Sequence, residues 1–181
     1  RHKFLLAQEC QTSPFTDEEF PQEIEVIPLP GHFFDMAGFR TPDQTVFLAD
    51  CISSRETLDK YGIPFIYDVQ AYLETLDKVE QMEAAVFVPS HAEVSKDIKE
   101  LAGYNRDKVM EAALRLLDIC RKPKCFEVIL QEIFHQYDLS MNFEQYVLVG
   151  STIRSYLAWL KDNGKLSIDF SNQMLLWETA S

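Results

Sequence analysis

Two histidines and an aspartate stand directly after apolar runs with strand character. His32 follows Ile24-Glu25-Val26-Ile27-Pro28-Leu29 within Pro30-Gly31-His32. Asp50 closes Val46-Phe47-Leu48-Ala49-Asp50, and His91 closes Val86-Phe87-Val88-Pro89-Ser90-His91. Imidazole nitrogen and carboxylate oxygen are ligands that a borderline cation such as zinc accepts, and a carboxylate can bridge two metals. Side chains at strand ends sit on a rigid scaffold yet face a cleft built from loops, where a metal can be held to tight geometry. Each has a plainer reading alone. A histidine after Pro-Gly is usually a surface residue, and an aspartate at a strand end commonly caps a turn.

The elements that must position these residues alternate. The run 24–29 reads as a half-buried strand, and residues 37–41 and 45–48 flank Pro42-Asp43 as a hairpin. Val69, Tyr72, Leu73, Leu76 and Val79 form the stripe of an amphipathic helix with Asp68 as its N-cap. Ala85-Val86-Phe87-Val88 reads as a buried strand stopped by Pro89, and Val109, Ala113, Leu116, Leu117 and Cys120 as another helical face. The class is α/β or α+β. Arg121-Lys122-Pro123-Lys124 looks like a junction, dividing the chain into 1–121 and 122–181. In the second part, a helix over Phe126–Phe134 precedes one over Ser151–Asp162; Asn163-Gly164 then stops the chain before strands at 165–168 and 174–177. Helices followed by a hairpin resemble a small winged helix.

The 181 residues hold 17 basic and 29 acidic side chains, a net charge of −12. Such a surface repels phosphate backbones and anionic lipid, so neither nucleic acid nor membrane is an expected partner. Residues 1–121 carry 12 basic and 22 acidic side chains, while 122–181 carry 5 and 7. The second helix of the tail offers only Arg154 and Lys161, opposed by Asp162, which is no footprint of a DNA binder. Packing or dimerisation is the expected role of the tail. Ser13–Pro21 reads as an acidic, Pro-containing loop, and the apolar start of the chain ends at Gln8-Glu9, too early for a signal peptide. A soluble, cytoplasmic protein with reduced thiols is expected. Cys120 and Cys125 lack a second ligand pair at zinc spacing and read as semi-buried thiols.

Taken together, Pro30-Gly31-His32, Leu48-Ala49-Asp50 and Pro89-Ser90-His91 resemble the last three metal motifs of the metallo-β-lactamase-fold hydrolases. The intervals of 18 and 41 residues, and Lys60–Asp68 with its following helix, are also similar to that family. The resemblance implies the second half of an αββα sandwich followed by a winged-helix-like domain. It also implies that His32 completes a first metal site, Asp50 bridges two metals and acts in catalysis, and His91 belongs to the second site. The implied cofactor is a pair of divalent ions, Zn2+ first, with iron and manganese also compatible. The implied reaction is metal-assisted hydrolysis of a small-molecule ester, thioester, lactone, amide or phosphodiester.

Two departures qualify what the resemblance implies. The family's His-x-His-x-Asp-His signature is absent, since only His2 and His135 remain besides His32 and His91. The chain therefore resembles a C-terminal half, expected to be inactive and weak in metal binding by itself. Its expected partner is the missing N-terminal half, or a second copy meeting it through the open sheet. The rival is a non-catalytic assembly module on the same half-fold. Second, Phe33-Phe34-Asp35-Met36 follows His32 where many relatives carry a small residue. The two rings either pack beneath the loop, the favoured expectation, or line an apolar substrate pocket; Asp35 reads as a solvated loop residue.

Overall fold

Period-two alternation over the first described stretch folds into an antiparallel meander. A computed structural model describes residues 14, 15 and 20–180. Its first strands are β1 (Glu25–Pro28), β2 (Ala37–Arg40) and β3 (Thr45–Ser53). Two helices, α1 (Arg55–Tyr61) and α2 (Val69–Gln81), then carry the chain across to β4 (Val86–His91), which lies parallel to β3. The sheet order is β1-β2-β3-β4, and α3 (Lys99–Ile119) follows. Cys10 and most of the Ser13–Pro21 stretch lie outside the described residues.

The expected strands and helices are present, with two displaced ends. β3 does not stop at Asp50 but runs on to Ser53, because a register shift at Ala49 lets the ladder with β4 resume. β4 passes through Pro89 rather than stopping there. Its place at the sheet edge explains the tolerance, since a residue without an N–H can sit where no outer neighbour needs one.

One face of the sheet is dry. Ile27, Val46, Leu48 and Phe87 are buried together with Tyr72, Leu76 and Val79 of α2 and Val109, Ala113 and Leu116 of α3. The other face is different. Val26, Phe39, Phe47 and Val88 are successive cross-strand partners, so their side chains form one row across all four strands. None of the four is buried, and the described cover on that face is the Phe15 ring, 5.5 Å from that of Phe39.

Residues 122–180 supply α4 (Phe126–Gln136), α5 (Phe143–Asp162) and an antiparallel hairpin of β5 (Leu166–Asp169) and β6 (Leu176–Thr179). α5 begins eight residues before the expected Ser151. Asn142 caps it by accepting from Gln145 N, and Gly150 is carried inside the helix, facing Leu130 and Phe126 of α4 at ordinary contact distance. Gly164, at φ +67°, ends the helix as the Asn-Gly pair predicts. Buried side chains on both sides of residue 121 belong to one continuous cluster, from Ile27 to Leu166. Thr179 ties β6 back to α3 by donating to Cys120 O and Leu117 O. No helix among the described residues is long and apolar enough to cross a membrane.

Candidate metal centre

His32 is placed by a loop that the fold leaves little freedom. Gly31 has φ +122°, and a Cβ there would lie 2.3 Å from the backbone of Tyr72, so only glycine fits. The Gly31 carbonyl accepts from both Tyr67 N and Asp68 N, and Thr75 of α2 donates to Pro30 O at 2.6 Å. The start of α2 thereby holds the histidine loop against the end of β1. The imidazole itself stands edge-on to the Phe65 ring at 5.3 Å, a contact that favours this orientation.

Asp50 sits one residue beyond the register shift in β3, and Ala49 takes φ +49°, a left-handed conformation unusual for a residue with a side chain. The bulge re-aims the carboxylate out of the regular pleat, the common use of such irregularities beside functional sites. His91 ends β4 opposite Ser53, and its carbonyl accepts from Ser54 N. Below it, buried Asn105 of α3 locks the end of β3. Its Nδ2 donates to Ser53 O and Leu101 O, and its Oδ1 accepts from Ser53 N and the Tyr72 hydroxyl.

The three sequence-selected residues meet. His32 Nε2 lies 3.7 Å from Asp50 Oδ2, and His91 Nε2 lies 3.5 Å from Asp50 Oδ1. Each carboxylate oxygen therefore faces one histidine. The arrangement is two half-sites sharing an aspartate, not one closed cage. Among the described residues no group of three or more His, Cys, Asp or Glu side chains could hold a metal ion together. Each pair offers two donors, against the roughly four of a tetrahedral zinc site. The donor chemistry, imidazole nitrogen with carboxylate oxygen, suits a borderline divalent cation at either position.

Electrostatics favour the ligating form of His32. Burial pushes its pKa below the ordinary histidine value, His91 adds to that push, and Asp50 opposes it. A neutral imidazole offers a lone pair at neutral pH. Cys51, adjacent to Asp50, turns into the core instead; burial raises its thiol to about 12, so it supplies no thiolate. Cys120 is buried too, its thiol raised to about 11, and both it and Cys125 are free.

The expected packing of Phe33 and Phe34 beneath their loop is not what the structure has. Both residues are exposed, at 54% and 53%, on a loop that closes on its own backbone. Tyr67 joins them as a third exposed ring, which the sequence did not single out. Its role depends on a loop more than thirty residues away meeting the histidine loop, and no local pattern encodes that meeting.

No family model matches the sequence, and no curated protein matches it. Solved structures do. A metallo-β-lactamase family protein from Thermus thermophilus superposes with a TM-score of 0.67 at 14% identity, over 86% of this chain and 49% of its own. A β-lactamase domain protein from Burkholderia ambifaria gives 0.70 at 17% identity, over 87% of this chain and 47% of its own. The chain thus spans about half the length of the structures it resembles, and over that span it has the fold of metallo-β-lactamase family proteins.

Proposed function

We propose that this chain is the C-terminal half of a metal-dependent hydrolase of the metallo-β-lactamase superfamily. The observation that carries the reading is the Asp50 carboxylate, one oxygen turned to His32 and the other to His91. In this reading His32 helps hold one ion, His91 the other, and Asp50 spans both. Divalent ions so held supply Lewis acidity and lower the pKa of water, the chemistry that hydrolysis needs. The chain's own residues keep the geometry. Phe65 orients the His32 ring, the bulge at Ala49 aims the carboxylate, and Asn105 fixes the strand end opposite His91. Zn2+ is the ion the donor set suits first, with iron and manganese also compatible.

The remaining ligands come from a preceding half-domain whose sheet covers the Val26–Phe39–Phe47–Val88 row. The half-length match to the neighbouring structures and the uncovered row both support this. The helix–helix–hairpin tail is winged-helix-like in order and acts as a buttress rather than a DNA reader. Arg154 of its second helix lies over the Phe126 ring, and Lys161 pairs with Asp162.

Elemental analysis after dialysis tests the reading. This chain alone should retain well under one equivalent of divalent metal, and the protein completed by its other half about two. In the completed protein Asp50→Ala should remove metal and most activity, whereas Cys51→Ala should leave both in place. Equal effects from the two substitutions would end the bridging role. A completed protein that stays metal-free would favour the assembly-module reading instead.

A further inference from the structure

Beside the carboxylate lies a cavity of about 630 Å3 lined by His32, Phe33, Phe34, Asp35, Met36, Ala49 and Asp50. That volume is within the usual range for small-molecule sites. Its apolar wall is Phe33, Phe34 and Met36, with the Tyr67 ring packed against the two phenylalanines. Phe34 and Tyr67 stand 4.0 Å apart, Phe33 and Phe34 5.3 Å, and Phe33 and Tyr67 6.0 Å. All three are substantially exposed, Tyr67 at 41%.

The rings are held, not loose. Gly31 N donates to Phe33 O, Met36 N to Phe34 O and Leu29 N to Met36 O, closing the loop on itself. The Tyr67 amide donates to Gly31 O, stitching the second ring-bearing loop to the first. Exposed aromatics fixed by backbone bonds are pre-organised to bury something, because little conformational freedom remains to be lost on contact. The polar groups of the wall decide what. Two carboxylates and no Lys or Arg line the cavity, so its own side chains offer nothing cationic to an anionic substituent, and any phosphate contact would fall to the ions that His32, Asp50 and His91 would hold.

We infer that Phe33, Phe34 and Met36, backed by Tyr67, form a subsite for the aliphatic or aromatic acyl group of an uncharged ester, thioester or amide substrate. The inference rests on reading His32, Asp50 and His91 as part of the reacting centre, and it places the acyl group beside them. In the hydrolysis the bond from the acyl carbon to its leaving atom breaks. The hydroxyl of water joins that carbon, and the other proton of water goes to the leaving atom.

Calorimetric titration of the full chain with the neutral N-methyl amides of hexanoic, octanoic and decanoic acid, in chelator, tests the subsite without metal or turnover. Each added methylene should tighten binding about fourfold, from the transfer free energy of one CH2. Phe34→Ala and Tyr67→Ala should each weaken the octanoyl amide about tenfold and flatten the length dependence. Phe47→Ala, on the sheet face, should not. Dibutyl phosphate, of similar apolar bulk but anionic, should bind far more weakly.

Absence of length dependence, unchanged binding by the ring variants, or equal affinity for the phosphate would overturn the proposal. So would ring variants that change sedimentation but not amide affinity, since the rings would then be a contact between copies. Zinc titration separates the two readings. Length-dependent amide binding in a completed protein that takes up no zinc would keep the subsite and remove the hydrolase.

Discussion

The Asp50 carboxylate and the two histidines form a small electrostatic system whose members report on one another. His32 is held below its ordinary pKa mainly by burial, against the pull of Asp50. Asp50→Asn should therefore lower the His32 value further in the metal-free chain, seen by following its imidazole proton resonances against pH. A rise would show that the carboxylate does not act on the ring. Unfolded chains protonate histidine at the ordinary value, while the folded His32 resists. Its contribution to stability is thus fully present above the ordinary value and is lost as pH falls from there through the lower folded value. Gly31→Ala should cost about 2 kcal/mol or more, measured by urea unfolding, because a left-handed backbone and a blocked Cβ position coincide there. His32, Asp50 and His91 were legible from type and order. The left-handed turn at Ala49 and the exposure of Phe33 and Phe34 were not, since both depend on which backbone groups find partners across strands.

Among the elements, α5 does more than pack. Thr152 Oγ1 accepts from Ile66 N at 3.3 Å, and Ser155 Oγ donates to Tyr67 O at 2.6 Å. Trp159 Nε1 donates to Gln70 Oε1 at 2.9 Å. The loop that orients His32 and presents Tyr67 is therefore anchored from the tail. Replacing Thr152 with Val and Ser155 with Ala should raise hydrogen exchange of the 63–68 amides about tenfold, as two hydrogen bonds of ordinary strength are lost. Amides at the end of β4 should stay as they were. Uniform exchange across both segments would show that the tail stabilises the whole chain without favouring the site. Helical periodicity revealed α2, α4 and the second half of α5, yet the start of α5 was hidden by Gly150, which reads as a break in local pattern although the helix runs through it. Contacts between residues more than eighty positions apart leave no trace in local pattern.

At the scale of the whole molecule the row Val26–Phe39–Phe47–Val88, exposed at Phe47 and half-buried at the other three among the described residues, should govern behaviour in solution. Contiguous apolar surface beyond a few hundred Å2 is uncommon on monomers, and about 2.5 kcal/mol is forgone for each 100 Å2 left in water. The chain alone should self-associate at micromolar concentration, and Phe47→Lys should reduce that association in light scattering. A monodisperse 21.0 kDa species for the unsubstituted chain would show that the row needs no cover. Strand alternation pointed to one buried face only; the open second face was implied by the resemblance to a half-fold. The continuity of the core through residue 121 was not foretold, since Pro123 marks a turn in the chain and says nothing of what packs across it.

The parallel pairing of β3 with β4 also sets an order of events in time. β2 and β3 are joined by a short turn and can zip from the Pro42-Asp43 corner on the timescale of hairpins, while β1 joins across the 29–36 loop. β4 cannot join until α1 and α2 have closed the long crossover, and non-local pairing of this kind forms late. Val46 and Phe47 belong to the early ladder, whereas the Ala49–Ser53 end of β3, which carries Asp50, pairs only with β4, so Asp50 and His91 both take their places late. The edge strand that arrives last thus brings His91 and completes the pairing of the segment that carries Asp50, so the three side chains meet only when the sheet is whole. In refolding kinetics, proximity of His91 to Asp50 should appear with the final phase, and a chain arrested before it should present a hairpin sheet without a centre.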